Sequence, residues 1–234
     1  MNTLQIDLFT GLNDAISMQD VLDVALKVIK PMGFDYCGWQ SQLPLPLTRP
    51  NLASLTTVED EVNDKIASGA YLDSPLIRHC SSTTQPLLWK GTTDDDVFLQ
   101  NPTLMEEYYS FNHRGGWAQS VFGSTGTFSL FHADSINTFS QHELQQASRD
   151  MQWVAMAVLG RMNQLRKRPD IKLSLREQEV LRWTGDGKTV DQISSILSLS
   201  CSTINFHLRN AMMKLDAPNK TAAVVRAIFL GLLY

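Results

Sequence analysis

The stretch from Leu173 to Tyr234 limits what this chain can fold into more than any other part of it. It reads LSLREQEVLRWTGDGKTVDQISSILSLSCSTINFHLRNAMMKLDAPNKTAAVVRAIFLGLLY. Ser174 followed three residues later by Glu177 is a capping box, which marks a helix start. The helix it opens, with Leu175, Val180, Leu181 and Trp183 as apolar positions, should stop at Gly185-Asp186-Gly187. Thr189 caps a second helix whose stripe is Ile193, Ile196 and Leu197. Ser198-Leu199-Ser200 makes the turn, and Ser200 or Ser202 caps the third helix. After Pro218-Asn219 a fourth helix turns Ala222, Val225, Ile228 and Phe229 inward. Short helices around one tight turn make a helix-turn-helix.

At 100° per residue, Ile204, Leu208, Ala211 and Leu215 of the third helix fall on one face and must pack inward. Asn205 and Arg209 share another face with Ser202. Arg suits paired hydrogen bonds to guanine, Asn to adenine, and a hydroxyl at the helix start suits phosphate. Phe206 also turns from the core, toward the preceding helix or a thymine methyl. Charge follows this division. From Asp170 onward eight Lys/Arg face six Asp/Glu, whereas the preceding residues hold twelve against eighteen. So slight a basic excess would hold DNA weakly in a monomer, which points to a dimer.

Glu177, Leu181, Gly187-Lys188-Thr189, Ile193, Leu197, the block Ser202 to His207, Asn210, Lys214-Leu215 and Asn219-Lys220 carry a resemblance. Together they resemble the C-terminal DNA-binding domain of LuxR-type regulators, over essentially all of this stretch. The resemblance implies base contacts from Asn205 and Arg209, with Phe206 beside them. It implies backbone contacts from Lys188, Thr189, Ser202, Thr203 and Lys220.

Earlier in the chain, helical patterns occupy 2–14, 18 to near Pro31-Met32-Gly33, 58–69, 73–80, 102–112 and 141–163, the second and last opened by Ser17 and Ser140. A strand pattern occupies 34–42, 87–89 reads as a buried strand or a turn, and a hairpin covers 116–122 and 127–133. The proline-rich segment 43–51 reads as loop. The charged, Pro169-broken segment 165–172 divides the chain into domains at 1–164 and 173–234. The expected fold class is α+β: an α/β/α sandwich with an antiparallel sheet, then an all-α four-helix helix-turn-helix domain.

Catalytic and metal chemistry finds little support. Gly187-Lys188-Thr189 imitates a phosphate-binding loop, but Arg182 stands where that loop needs glycine. His79 and Cys80 are adjacent and would point about 100° apart on a helix. Thr92 to Asp96 lacks the alternation of a calcium loop and reads as a solvated loop or a helix N-terminus. No enzyme, cofactor or metal is expected. Three scattered cysteines fit reduced thiols in a cytoplasm, with no membrane span and no secretory signal.

Tyr36, Trp39, Tyr71, Trp89, Tyr108, Tyr109, Trp117 and Phe131 fill the first domain with aromatics, as a plain core or around a ligand pocket. Pro75, Trp89 and Gly116, within SPLIRH, QPLLWKG and HRGGW, extend the resemblance to the domain that encloses an acyl-homoserine lactone in LuxR-type quorum receptors. Leu76, Ile77, Met105, Ser129 and Leu130 then become wall residues, with Tyr36, Trp39 and Trp117 among the surrounding aromatics. Trp89 would lie against the head group and Ser129 would reach an acyl oxygen. The family pattern has Trp and Tyr where this chain has Glu61 and Lys65, and an amide-accepting Asp at Ser74, which Asp73 could replace. Losing such contacts lowers lactone affinity about tenfold to a hundredfold. The resemblance thus implies a dimeric, ligand-responsive transcription factor on a near-palindromic operator. The alternative is a ligand-independent regulator acting on DNA or in mixed dimers with another receptor.

Overall fold

The computed structural model describes residues 3–43, 51–123, 127–166 and 170–233. Expectations for the proline-rich loop, the hairpin tip and the middle of the linker fall outside them. The chain divides into two units, Met1–Arg166 and Lys167–Tyr234.

In the first unit the strands β1 (Tyr36–Leu43), β2 (Asn51–Thr56), β3 (Leu87–Trp89), β4 (Gly116–Phe122) and β5 (Phe128–Asp134) form an antiparallel sheet in the order β2-β1-β5-β4-β3. Helices α1 (Thr3–Asp14), α2 (Met18–Ile29) and α7 (Gln141–Leu165) cover one face. Capping boxes open the last two, Ser17 with Asp20 and Ser140 with Glu143. Leu8, Leu22, Ile29, Met151, Val154 and Val158 meet Trp39, Trp117, Phe131 and Ala133 there in the main core. Against the other face lie α3 (Asp60–Ser68), α4 (Pro75–Cys80), α5 (Asp96–Gln100) and α6 (Pro102–Ser110). Their packing is a separate cluster of Ile77, Cys80, Trp89, Val97, Phe98, Met105, Tyr109, Ala118 and Leu130. The result is the expected α/β/α sandwich.

β2 carried no legible signal, and α5 only that of its acidic start. β2 is NLASLT, whose three polar residues and alanine dilute any alternation, and it follows prolines; only pairing with β1 makes it a strand. α5 is five residues long, too short for a periodic stripe, and Asp95 caps it.

The second unit packs α8 (Leu175–Gly185), α9 (Val190–Leu197), α10 (Cys201–Lys214) and α11 (Lys220–Phe229) around Val180, Leu181, Ile193, Ile204, Leu208, Ala211, Leu215 and Ala223. Ser174 and Thr189 form capping boxes with Glu177 and Gln192. Ser200, and not Ser202, caps α10. Three inward assignments need correction. Leu175, the first helical residue, is 83% exposed, because the stripe starts a turn later. Ile196 stands 44% exposed at the margin of a stripe that Ile193 and Leu197 suffice to fill. In α11 the buried residues are Ala223, Val224 and Ala227, one position from the expected set. Small side chains let α11 approach α8 closely, and a Cβ on Gly185 would already meet Val224 at 3.2 Å.

Candidate nucleic-acid interface and ligand pocket

Burying Ile204, Leu208 and Ala211 leaves Ser202, Asn205, Phe206 and Arg209 exposed along one edge of α10. Ser200 Oγ accepts the Thr203 amide at 3.1 Å and shares a 2.8 Å hydrogen bond with the Thr203 hydroxyl, which fixes the helix start. Among the described residues Arg209 donates only from Nε, to the Asn205 carbonyl at 3.4 Å, and that contact lies along the helix itself. Phe206 does not pack on the preceding helix. It is 54% exposed and meets His207 edge-on at 5.6 Å. Lys188 and Thr189 are exposed where the chain enters α9, and Lys220 is exposed at the start of α11. Lys214 faces elsewhere. Its Nζ donates to both carboxylate oxygens of buried Glu177, at 2.7 and 3.0 Å. Burial alone would raise the Glu177 carboxyl; Lys214 and the Ser174 amide outweigh it, and the net shift is downward.

In the first unit a cavity of about 60 Å³ lies between the sheet and α3–α6. Ile66, Pro75, Leu76, Ile77, Val97, Leu104 and Met105 give it apolar walls, with Trp89 at one side. Gln40, Tyr71, Ser74, Tyr108, His132 and Asp134 bring polar atoms. Two glycines make this arrangement possible. A Cβ on Gly116 would overlap the Trp89 ring, and one on Gly38 would overlap the His132 imidazole.

Strand parity sorts the expected pocket residues. Successive side chains point to opposite faces, so Leu130, His132 and Asp134 share one side and Ser129, Phe131 and Ala133 the other. Ser129 and Leu130 therefore cannot both be wall residues. Ser129 lies on the α7 side, donating to Ser41 Oγ at 2.8 Å, and does not line the cavity. Trp39 and Trp117 belong to the main core, where the Trp117 indole donates to Ser148 of α7 at 3.0 Å. Leu130 packs in the cluster behind the walls. Tyr36 is on the cavity side but beyond it, donating to Glu59 Oε1 at 2.5 Å and lying 4.5 Å from the His113 ring.

The residues at family-divergent positions also turn elsewhere. Glu61 is exposed on α3. Lys65 pairs with Glu107 and lies 5.0 Å over the Phe111 ring. Asp73 does not substitute for a pocket carboxylate: its side chain is 84% exposed and faces Arg78 at 3.1 Å. Ser74 does line the cavity, but its Oγ caps α4 by accepting the Ile77 amide at 3.2 Å. The Trp89 indole N–H is also engaged, donating to the Arg114 carbonyl at 2.9 Å, so its ring face is what the cavity sees.

Gln40, Ile66, Val97, Leu104, His132 and Asp134 line the cavity without having been singled out in the sequence. For His132 and Asp134 the signal was present, as alternate residues after Leu130. His132 Nδ1 and Asp134 Oδ2 are 3.0 Å apart, both side chains nearly inaccessible. Burial pushes the Asp134 carboxyl up, yet His132, His113 and Tyr108 more than compensate and hold it below its ordinary value. The same burial, with the charge of Asp134 beside it, drives the Tyr108 hydroxyl well above its ordinary value. The cysteines take no part: burial pushes the Cys37 and Cys80 thiols up to about 12, so neither is a nucleophile at neutral pH.

Residues 17–162 match the family model of the autoinducer binding domain, and residues 172–227 match that of bacterial regulatory proteins of the LuxR family. The transcriptional activator protein AnoR of Acinetobacter nosocomialis is 30% identical over 100% of both chains. The chain belongs to the LuxR family of bacterial transcriptional regulators. The transcriptional repressor ThaA of Burkholderia thailandensis is 32% identical, over 93% of this chain and 92% of its own. Relatives thus include an activator and a repressor, and they are regulators, not enzymes. The structure of SdiA in complex with octanoyl-rac-glycerol superposes with a TM-score of 0.83 at 25% identity, covering 99% of this chain and 95% of that one.

Proposed function

We propose that this LuxR-type regulator works in the bacterial cytoplasm as a dimer that binds a small signal and a near-palindromic DNA site. One observation carries the proposal. A single chain joins an exposed Ser202-Asn205-Phe206-Arg209 edge to an apolar cavity holding polar atoms that the fold leaves unused. Asn205 and Arg209 read base edges in the major groove, and Phe206 meets a thymine methyl. Lys188, Thr189, Ser202, Thr203 and Lys220 hold the sugar-phosphate backbone. Thr203 contributes least, since Ser200 already engages its hydroxyl.

The signal is an acyl-homoserine lactone or a related small acylated molecule; SdiA holds octanoyl-rac-glycerol. A cavity of about 60 Å³ is too small in volume for an acylated signal, so binding has to enlarge it by moving α3–α6 from the sheet. Ligand free energy is thereby spent on repositioning that layer, which couples occupancy to the state of the domain. The full-length protein, with and without signal, is to be titrated against random duplexes and duplexes selected from a random pool. Tighter binding of selected sequences, strengthened by signal, is expected. Equal affinity for all duplexes at moderate salt would sink the proposal. Sequence preference unaffected by any signal would instead favour the ligand-independent or mixed-dimer mode.

A further inference from the structure

The floor of the cavity carries polar atoms that the fold does not use. His132 donates from Nδ1 to Asp134 Oδ2, because a carboxylate can only accept. Asp134 Oδ1 and His132 Nε2 are then left without hydrogen-bond partners, and so is the Tyr71 hydroxyl from the α3–α4 turn. These residues are 1%, 3% and 9% exposed, and all line the same cavity. Buried polar atoms are nearly always paired, with protein, water or ligand, so these make a built site.

Their chemistry selects a head group. Asp134 Oδ1 needs a donor. His132 Nε2 accepts when the ring is neutral and donates when it is charged. The Tyr71 hydroxyl does either. A hydroxyl answers each of these in any of their states, and a head with several hydroxyls answers them together. An acyl-homoserine lactone offers one amide N–H and otherwise only acceptors. A fatty-acid carboxylate would face the charge of Asp134. An ammonium would sit between apolar walls beside a carboxylate already shared with an imidazole, at a high desolvation cost. The lactone partners of the family pattern are also missing: Glu61 and Lys65 stand outside the cavity at the Trp and Tyr positions, and Ser74 offers no carboxylate, its Oγ capping α4.

We propose that this pocket takes an acyl chain ending in a neutral polyol, a glycerol-like head whose hydroxyls bond Asp134 Oδ1, His132 Nε2 and Tyr71. This rests on the signal-binding function proposed above and names the chemical class of the signal. Asp134 and His132 of β5 together with Tyr71, and not Glu61, Lys65 or Ser74, where the chain diverges from the family pattern, set head-group specificity.

The test is calorimetry and thermal melting of the full-length protein with monooctanoylglycerol, N-octanoyl homoserine lactone, octanoate, octylamine and methyl octanoate. The glycerol ester should bind about tenfold tighter than the lactone and give the largest rise in melting temperature. Tyr71→Phe deletes a hydroxyl without a protein partner. It should weaken the glycerol ester about tenfold while methyl octanoate, which has no hydroxyl, changes less than about twofold. Asp134→Asn should weaken it as much or more; if that variant fails to fold, Tyr71→Phe still decides. Lactone, octanoate or octylamine binding as tightly as the glycerol ester overturns the head-group assignment and leaves signal binding intact. No octanoyl compound binding at all overturns both.

Discussion

Arg209 and Lys214 sit on the same helix and are put to different uses. Lys214 is held by Glu177, which also accepts the Ser174 amide at 2.7 Å, so one carboxylate ties α10 to the start of α8. Among the described residues Arg209 makes no hydrogen bond or ion pair beyond its own helix, which leaves its guanidinium head to meet a base. Arg209→Ala should therefore leave the melting temperature near wild type. It should cost about 1–3 kcal/mol in DNA binding and relax preference at one base pair, read by anisotropy against a panel of single-site operator variants. Uniform loss on all duplexes would show a phosphate contact instead. Glu177 acts on stability. Its folded pKa is depressed, so its contribution is present above the unfolded carboxyl value and is lost as pH falls through the folded one. Glu177→Gln should lower stability at neutral pH and flatten the acid limb of the second unit, as seen in melts from neutral pH down past the ordinary carboxylate range.

At the scale of elements, α7 has two faces with different fates. Met151, Val154, Ala155 and Val158 are buried against the sheet. Arg149, Trp153, Met156 and Gly160 form an exposed stripe on the outside, with Trp153 53% and Met156 56% exposed and open space around Gly160. Exposed Trp and Met on one stripe suit the proposed dimer contact. Replacing both by Glu should shift the protein from dimer to monomer in light scattering, with melting of the monomer little changed. A dimer that persists would place the contact elsewhere. β3 and β4 depend on a closer fit. Gly116→Ala would drive a methyl into Trp89, and its expected cost is about 1–3 kcal/mol by chemical denaturation, with signal affinity falling alongside.

Across the molecule, each of the two units has an apolar core of its own among the described residues. Signal binding should consequently raise the calorimetric transition of the first unit and leave that of the second in place. Equal shifts in both would show that the units unfold together.

Features written in local chemistry were legible in the chain itself. Ser17, Ser140, Ser174 and Thr189 marked helix starts because a cap needs only a hydroxyl and its partner three residues on. The inward face of α10 followed from period alone, as did the polar edge beside it. The sandwich followed from helices placed before, between and after strands. What tertiary structure decided was everything set by a partner. β2 is a strand because β1 is beside it, and Ala223 and Ala227 face inward because α8 comes close. Ser129 and Trp117 turn from the cavity because register, fixed by neighbouring strands, chooses between two faces that the residues alone leave equal. The His132–Asp134 pair on the cavity floor was spelled two residues apart, but only the packed sheet makes it buried, paired and half unused.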